Sequence, residues 1–288
     1  NPETGFEFNS PVKRNSSRRK RRRKHSGKRT GSRAAVTMVP RLESLEPRHL
    51  LSAILPAYVN DEFTFGDANS LAPYGLENTF SLQSRPTASK TIFLDFDGHH
   101  SVGNTWGHDI QFPAFNRDGN PNSFSDSELI EIQKQFQNVA EDFLPFDVNV
   151  TTLDPGLAAL AKSSMNDSTW GIRAVNTQPT DGFGSGIGGI AYLKSFSYNQ
   201  DTPVFTFNKG ARNGGMTNSH EVGHALGLRH QGVNSQSYHP GTGTGQTSWG
   251  PILGAPFGKR LTQWSNSDYD GATIDQDDLS IITSNRNG

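Results

Sequence analysis

Residues 220–230 read His220-Glu221-Val222-Gly223-His224-Ala225-Leu226-Gly227-Leu228-Arg229-His230, the pattern H-E-x-x-H-x-x-G-x-x-H. On a helix, His220 and His224 lie one turn apart on one face. Both imidazoles can then reach one metal ion while Val222, Ala225 and Leu226 are left to pack. Glu221, beside the first histidine, is badly placed to share that ion but can reach a water on it and take its proton. Gly227 tolerates φ > 0 and can end the helix, so that the chain turns and His230 approaches from outside as a third ligand. Three neutral nitrogens leave the fourth position of a tetrahedral zinc open, the arrangement of catalytic sites.

The composition narrows the chemistry around this stretch. The 288 residues include no Cys, which excludes disulfides, thiolate nucleophiles and Cys-ligated metal, so a transition metal must be held by His, Asp or Glu. No apolar run approaches the roughly 18 to 20 residues of a bilayer crossing, so no membrane span is expected. The net charge of -1 conceals a division. Residues 1–33 carry twelve Lys and Arg against two acids, and residues 34–288 carry 15 against 26.

The 220–230 motif resembles that of the metzincin clan of zinc metallopeptidases, closest to its matrixin-like and reprolysin-like members. Gly186-Ile187-Gly188-Gly189-Ile190-Ala191-Tyr192 is similar to the glycine-rich segment and edge strand before the active-site helix of that clan, where substrate adds as an antiparallel strand. Pro251-Ile252-Leu253-Gly254 stands where the clan has its Met-turn, the apolar floor beneath the metal. Leu253 replaces the Met, a near volume-conserving change that alters packing by roughly 1 kcal/mol without removing a ligand. Ala255 occupies the place of an additional Tyr ligand found in some members, so none is carried over. Asp277-Asp278-Leu279-Ser280-Ile281-Ile282 resembles the start of the clan's closing helix, and the stop at Gly288 soon after makes a longer natural protein an expectation.

The resemblance implies an α/β (α+β) fold: a mixed, mostly parallel twisted sheet with an antiparallel edge strand, an active-site helix, and a smaller irregular C-terminal subdomain. It implies a zinc endopeptidase acting on a protein or peptide substrate, with His220, His224 and His230 as ligands. Glu221 would be the general base toward a zinc-bound water that attacks the scissile carbonyl. A non-catalytic zinc-binding surface or adhesion protein is the alternative.

Residues 1–59 read as a basic, disordered export or sorting segment, since 13–33 have almost no apolar side chains to offset ordering entropy. The run Arg18-Arg19-Lys20-Arg21-Arg22-Arg23-Lys24 could bind phosphates. It is followed, however, by Leu45-Glu46-Pro47-Arg48-His49-Leu50-Leu51 and an apolar stretch to Val59, the order of a basic flank before the apolar part of an export signal. That motif resembles the N-terminal segment of exported bacterial proteins named for it, which implies an exported protein, extracellular, periplasmic or at the cell surface; with the basic run read as an export flank, no nucleic-acid partner is expected.

Residues 60–89, polar and without a sustained period, read as a linker or propeptide-like stretch, and 90–288 as the metallopeptidase domain. Strands are expected at Thr91–Asp97, around Phe146–Val150, and at Trp170–Val175, Ala191–Tyr198 and Pro203–Phe207. A helix is expected at 126–143, capped by Ser125 and Glu128 and striped by Leu129, Ile132, Phe136, Val139 and Phe143.

Three lesser motifs compete. Phe93-Leu94-Asp95-Phe96-Asp97-Gly98 is similar to the D-x-D-G strand end of haloacid-dehalogenase-type phosphatases, with Asp95 as nucleophile and Asp97 as acid/base. The plain reading of Asp95, Asp97, His99 and His100 is a strand end and turn that could hold a structural Ca2+ or a second zinc. Gly184-Ser185-Gly186-Ile187-Gly188-Gly189 satisfies G-x-G-x-x-G but leads into a strand, so the dinucleotide context fails. His108 and His239 are isolated and read as hydrogen-bonded residues rather than ligands.

Overall fold

The computed structural model describes residues 72–288, all within the unit Glu46–Gly288. The basic run, the Leu45–Leu51 motif and the start of the 60–89 stretch lie outside the described residues.

The elements, in chain order, are β1 (Lys90–Asp95), β2 (His99–Ser101), β3 (Ile110–Phe112), α1 (Asp126–Asp142), β4 (Val148–Thr151), β5 (Trp170–Asn176), β6 (Gly189–Ile190), β7 (Val204–Thr206), α2 (Ala211–Leu226), β8 (Trp249–Pro251), β9 (Leu261–Gln263) and α3 (Asp278–Ile282). Five strands form one sheet in the order β4-β1-β5-β7-β6. The first four are mutually parallel and β6 runs antiparallel to β7 at the edge. The fold is therefore mixed α/β with a mostly parallel sheet and an antiparallel edge strand, as expected.

Alternation along β1 and β5 sorts side chains between two layers. Ile92, Leu94 and Phe96 join Ile172 and Ala174 in the main core with Ile132, Phe136, Val139 and Phe143 of the α1 face and Val222 and Ala225 of α2. On the opposite face Val175, Phe112, Phe205 and Phe207 form a second cluster covered by Trp106, Ile110 and Phe183. α1 begins with the expected capping box, Ser125 N donating to Glu128 Oε2 at 2.8 Å. Asn218 of α2 ties the layers together through a 2.7 Å bond to Asn176 Oδ1, a 3.3 Å bond to Gln135 Oε1 and a 3.0 Å bond from Thr206 Oγ1. Buried amides satisfied on three sides fix the height of α2 against the sheet.

Two expectations need correction. The strand expected at Ala191–Tyr198 is absent: β6 ends at Ile190 and Ser195–Ser197 is a single 3-10 turn. After the chain has left the sheet, Lys194 takes left-handed backbone (φ 70, ψ 25) and gives its N–H to the His224 carbonyl on α2 at 2.9 Å, which holds this stretch on the helix. The D-x-D-G strand end also divides. Asp97 is exposed, whereas Asp95, 1% exposed, accepts a 2.7 Å bond from Arg173 Nη1. Arg173 is thus the charge partner at the place where the sequence allows a structural Ca2+ or second zinc.

Residues before β1 are also built in. A 3-10 segment, Leu76–Ser81, leads to Leu82, whose carbonyl receives Thr152 N at 3.0 Å, and Ser84 N reaches Val150 O at 2.9 Å. Gln83 pairs with Thr151 in an antiparallel bridge, so this segment runs along the outer edge of β4.

Candidate metal centre

α2 carries His220 and His224 on one face, and the chain leaves the helix at Gly227, whose φ of 111° closes the turn with its N–H on Gly223 O and His224 O. A residue with a Cβ would be strained there. Two residues on, Arg229 is gripped at both ends by Gln276, which accepts from Arg229 N at 2.9 Å and donates to Arg229 O at 3.0 Å. Gln231 donates to Asp278 Oδ1 at 3.1 Å and accepts from Tyr269 OH at 2.9 Å. His230, between these anchored residues, comes back over the helix.

The three imidazoles converge. His224 Nε2 lies 3.1 Å from His220 Nε2 and 2.9 Å from His230 Nε2. The opposite nitrogens are engaged: His220 Nδ1 is 2.8 Å from Ile252 O, and His224 Nδ1 is 2.8 Å from Leu228 O. A carbonyl only accepts, so both Nδ1 atoms carry the proton and both Nε2 atoms present lone pairs. Burial, reinforced for His220 by its neighbour His224, lowers the pKa of His220 to about 3, and burial alone lowers that of His224 to about 4; His230 is lowered further. Lone pairs facing one another at contact distance with no proton between them are repulsive, and a shared cation resolves the repulsion. In a tetrahedral site with Zn–N of about 2.0 to 2.1 Å the ligand nitrogens stand ~3.4 Å apart, close to the spacing here. Among the described residues this is the one group of three or more His, Asp or Glu able to hold a metal.

Glu221 is 3% exposed, and its Oε1 would lie 2.6 Å from a Cβ placed on Gly189 of β6. The glycine is what admits the carboxylate beside the edge strand. Burial pushes the Glu221 carboxyl well above the usual carboxylate range.

Leu253 is fully buried, and its Cδ2 lies 3.0 Å from where a Cβ on Gly223, between the two helix histidines, would stand. Its carbonyl accepts Gln231 N at 2.9 Å. The position expected for a Met-turn therefore packs directly under α2.

Other sequence candidates stay apart. Asp95 falls on the sheet face opposite Leu94 and Phe96 and is held by Arg173. His239 is buried and accepts from Gly241 N through Nδ1 at 2.8 Å, while His108 pairs with Ser101 Oγ at 3.0 Å. Both are hydrogen-bonded histidines.

Tyr238 was not foreseen. Its ring stands 4.2 Å from the His230 ring and 6.3 Å from that of His220, and burial, with the Glu221 charge beside it, raises its phenol pKa. The residue lies in a loop without periodicity, and nothing local marks it.

Comparison with family profiles places this geometry in context. Residues 154–231 match the family described as metallo-peptidase family M12B, reprolysin-like. The matched stretch takes in β5, β6, β7, α2 and all three histidines. Together with the histidine convergence, it supports a metzincin-type zinc peptidase. Comparison with curated proteins returns no match. No helix among the described residues is long and apolar enough to cross a membrane.

Proposed function

We propose that the chain is a zinc-dependent endopeptidase that hydrolyses peptide bonds of proteins, with His220, His224 and His230 as ligands and Glu221 as general base. The observation that carries this reading is the convergence of three imidazole Nε2 atoms, two of them held with their lone pairs inward, beside a buried glutamate at a sheet edge. Zinc bound there would supply a Lewis acid for the scissile carbonyl and bring the pKa of water down toward about 7.

The chain's own residues do the rest. The Ile252 and Leu228 carbonyls hold the two helix imidazoles in the tautomer that exposes Nε2. A zinc charge beside Glu221 would offset the burial that raises its pKa, so that its carboxylate would receive the proton of the attacking water and deliver it to the leaving amine. β6, antiparallel and outermost in the sheet, offers its free edge to an extended peptide as an added strand. Leu253 closes the floor under α2 and keeps water from below. The basic flank before Leu45–Leu51 supports an exported protein with a protein or peptide substrate outside the cytoplasm.

The test is zinc content together with casein cleavage, comparing wild type and Glu221→Gln in the full chain. Stoichiometric zinc in both, with cleavage reduced about 100-fold or more in the variant, is the expected result. Zinc without cleavage in either would reduce the chain to a metal-binding protein, and absence of zinc would overturn the ligand set.

A further inference from the structure

Residues 189–192 alternate between the two faces of the sheet. A Cβ on Gly189 would meet Glu221 Oε1 at 2.6 Å and Thr217 Cγ2 at 2.8 Å, so this position faces α2. Ile190 packs on the other side, against the cluster of Phe112, Val175, Phe205 and Phe207. Ala191 returns to the main core. Tyr192 is again on the far side, its ring 4.3 Å from that of Trp106, which packs on the same cluster as Ile190. The alternation is that of an extended chain and continues two residues past the end of β6.

Trp106, Phe183, Ile187, Ile190 and Tyr192 are each half-buried. Together they form a shelf on the face away from Glu221, beginning at the outer strand of the sheet. None carries a charge, and the polar groups they do have are turned inward: Trp106 Nε1 donates to Pro203 O at 2.9 Å and Tyr192 OH to Thr105 O at 3.1 Å. The shelf therefore offers ring and aliphatic surface to an occupant. Ring contacts hold its shape, Trp106 lying 5.3 Å from Phe183 and 5.7 Å from Phe205.

An extended peptide added antiparallel to β6 alternates too, and each of its side chains lies on the same face as the residue it pairs with. The peptide residue opposite Gly189 faces Glu221, and the residue opposite Ile190 faces the shelf. A slip of one residue would exchange them.

We propose that the shelf is a side-chain subsite for the substrate: the peptide residue paired with Ile190 is apolar, aromatic or branched aliphatic, and Ile190 and Tyr192 select it. This rests on the endopeptidase reading above. Covering half-buried apolar surface favours such a side chain, and a carboxylate or ammonium seated there would lose water without gaining a partner. Because Glu221 stands against the preceding residue, Gly189, the selected position lies close to the bond that is cut.

Cleavage of a randomised peptide library by the full chain loaded with zinc, with the products sequenced, tests it in wild type and Ile190→Glu. In wild type one position at a fixed distance from the cut should be enriched about tenfold or more in Phe, Tyr, Leu and Ile over Asp, Glu and Lys. Ile190→Glu should erase that enrichment and raise Lys and Arg at the same position and at no other, an exchange that loss of folding cannot produce. If the charged variant does not fold, Ile190→Thr, which keeps a branched Cβ on β6, should weaken the enrichment about threefold. Binding of labelled extended peptides bearing apolar, acidic or basic residues to Glu221→Gln, read by fluorescence anisotropy, separates this inference from the reading beneath it. Apolar-selective binding without cleavage by wild type keeps the subsite and refutes the peptidase. Cleavage with the same residue profile in wild type and the Ile190 variants overturns the subsite and keeps the peptidase, and absence of both cleavage and binding overturns both.

Discussion

The Nδ1 proton of His220 rests on the carbonyl of Ile252, 2.8 Å away and 32 residues further along the chain. One bond thus joins the first histidine of α2 to the loop whose next residue, Leu253, fills the floor beneath the helix. Loss of the Leu253 side chain should cost on two counts. Leu253→Ala is expected to destabilise the fold by about 2 to 5 kcal/mol and to weaken zinc retention, because the Ile252 carbonyl loses its support. Leu253→Met should cost less than about 1.5 kcal/mol and keep zinc. Urea midpoints and zinc content of the two variants check both statements.

Zinc retention should be insensitive to mild acid. An exposed histidine site releases zinc as protons compete through about pH 6.5. Burial holds His220 at about 3 and His224 at about 4, so the imidazoles stay neutral well below that point. Equilibrium dialysis against zinc from pH 8 downward should show full occupancy to about pH 5. A release midpoint near 6.5 would contradict the buried, neutral state of the triad.

Tyr238 should act through its ring. Packed 4.2 Å from His230, it limits the orientations of the one histidine of the proposed triad that lies outside the helix. Tyr238→Ala is expected to lower zinc affinity about tenfold, and Tyr238→Phe to leave it within a factor of two or three. Competition with a chromogenic chelator measures both; equal loss in the two variants would assign the effect to the hydroxyl instead.

Asp142 is a buried carboxyl at the end of α1, receiving the Ser219 hydroxyl at 2.6 Å, and burial raises its pKa from 3.8 to about 7. Between those values the unfolded chain has released a proton that the folded chain keeps. This group's contribution to stability therefore declines as pH rises through that window, on the order of 1.4 kcal/mol per unit. Asp142→Asn removes the decline while keeping an acceptor for Ser219. Its stability relative to wild type should be greater at pH 8 than at pH 5, and a difference independent of pH would refute the buried neutral carboxyl.

Thr152 holds the segment before β1 with two buried bonds, accepting from Leu82 N at 3.0 Å and donating to Thr79 O at 2.6 Å. Thr152→Val keeps the shape and loses both, with an expected cost of about 1 to 3 kcal/mol. Thermal melting measures it, and faster proteolytic nicking around residues 76–85 should accompany the loss.

Legibility followed the range of the interactions. The α1 stripe and its capping box were readable because their partners lie three or four residues apart. The convergence of three histidines within eleven residues was readable for the same reason, since a helix and the turn after it impose their own spacing. The 191–198 stretch reads as a strand because Ala191, Phe196 and Tyr198 satisfy an apolar pattern, but the core uses only Ala191 and Phe196, and Tyr198 is exposed. Tyr238, and the grip of Gln276 and Asp278 on residues 229–231, depend on contacts over tens of residues through loops, where no period exists. The polar 76–85 stretch lacks an apolar signature because its attachment to β4 is made by backbone groups and the hydroxyls of Thr151 and Thr152.

That attachment makes the two borders of the sheet unlike. Residues 82–84 close the border at β4, and among the described residues no strand pairs with the outer side of β6. An extended chain has one vacant border on which to add, and Glu221 lies against it. Edge-to-edge aggregation and substrate capture would then compete for the same row of backbone groups. A peptide that occupies β6 should both inhibit cleavage and keep the protein dispersed.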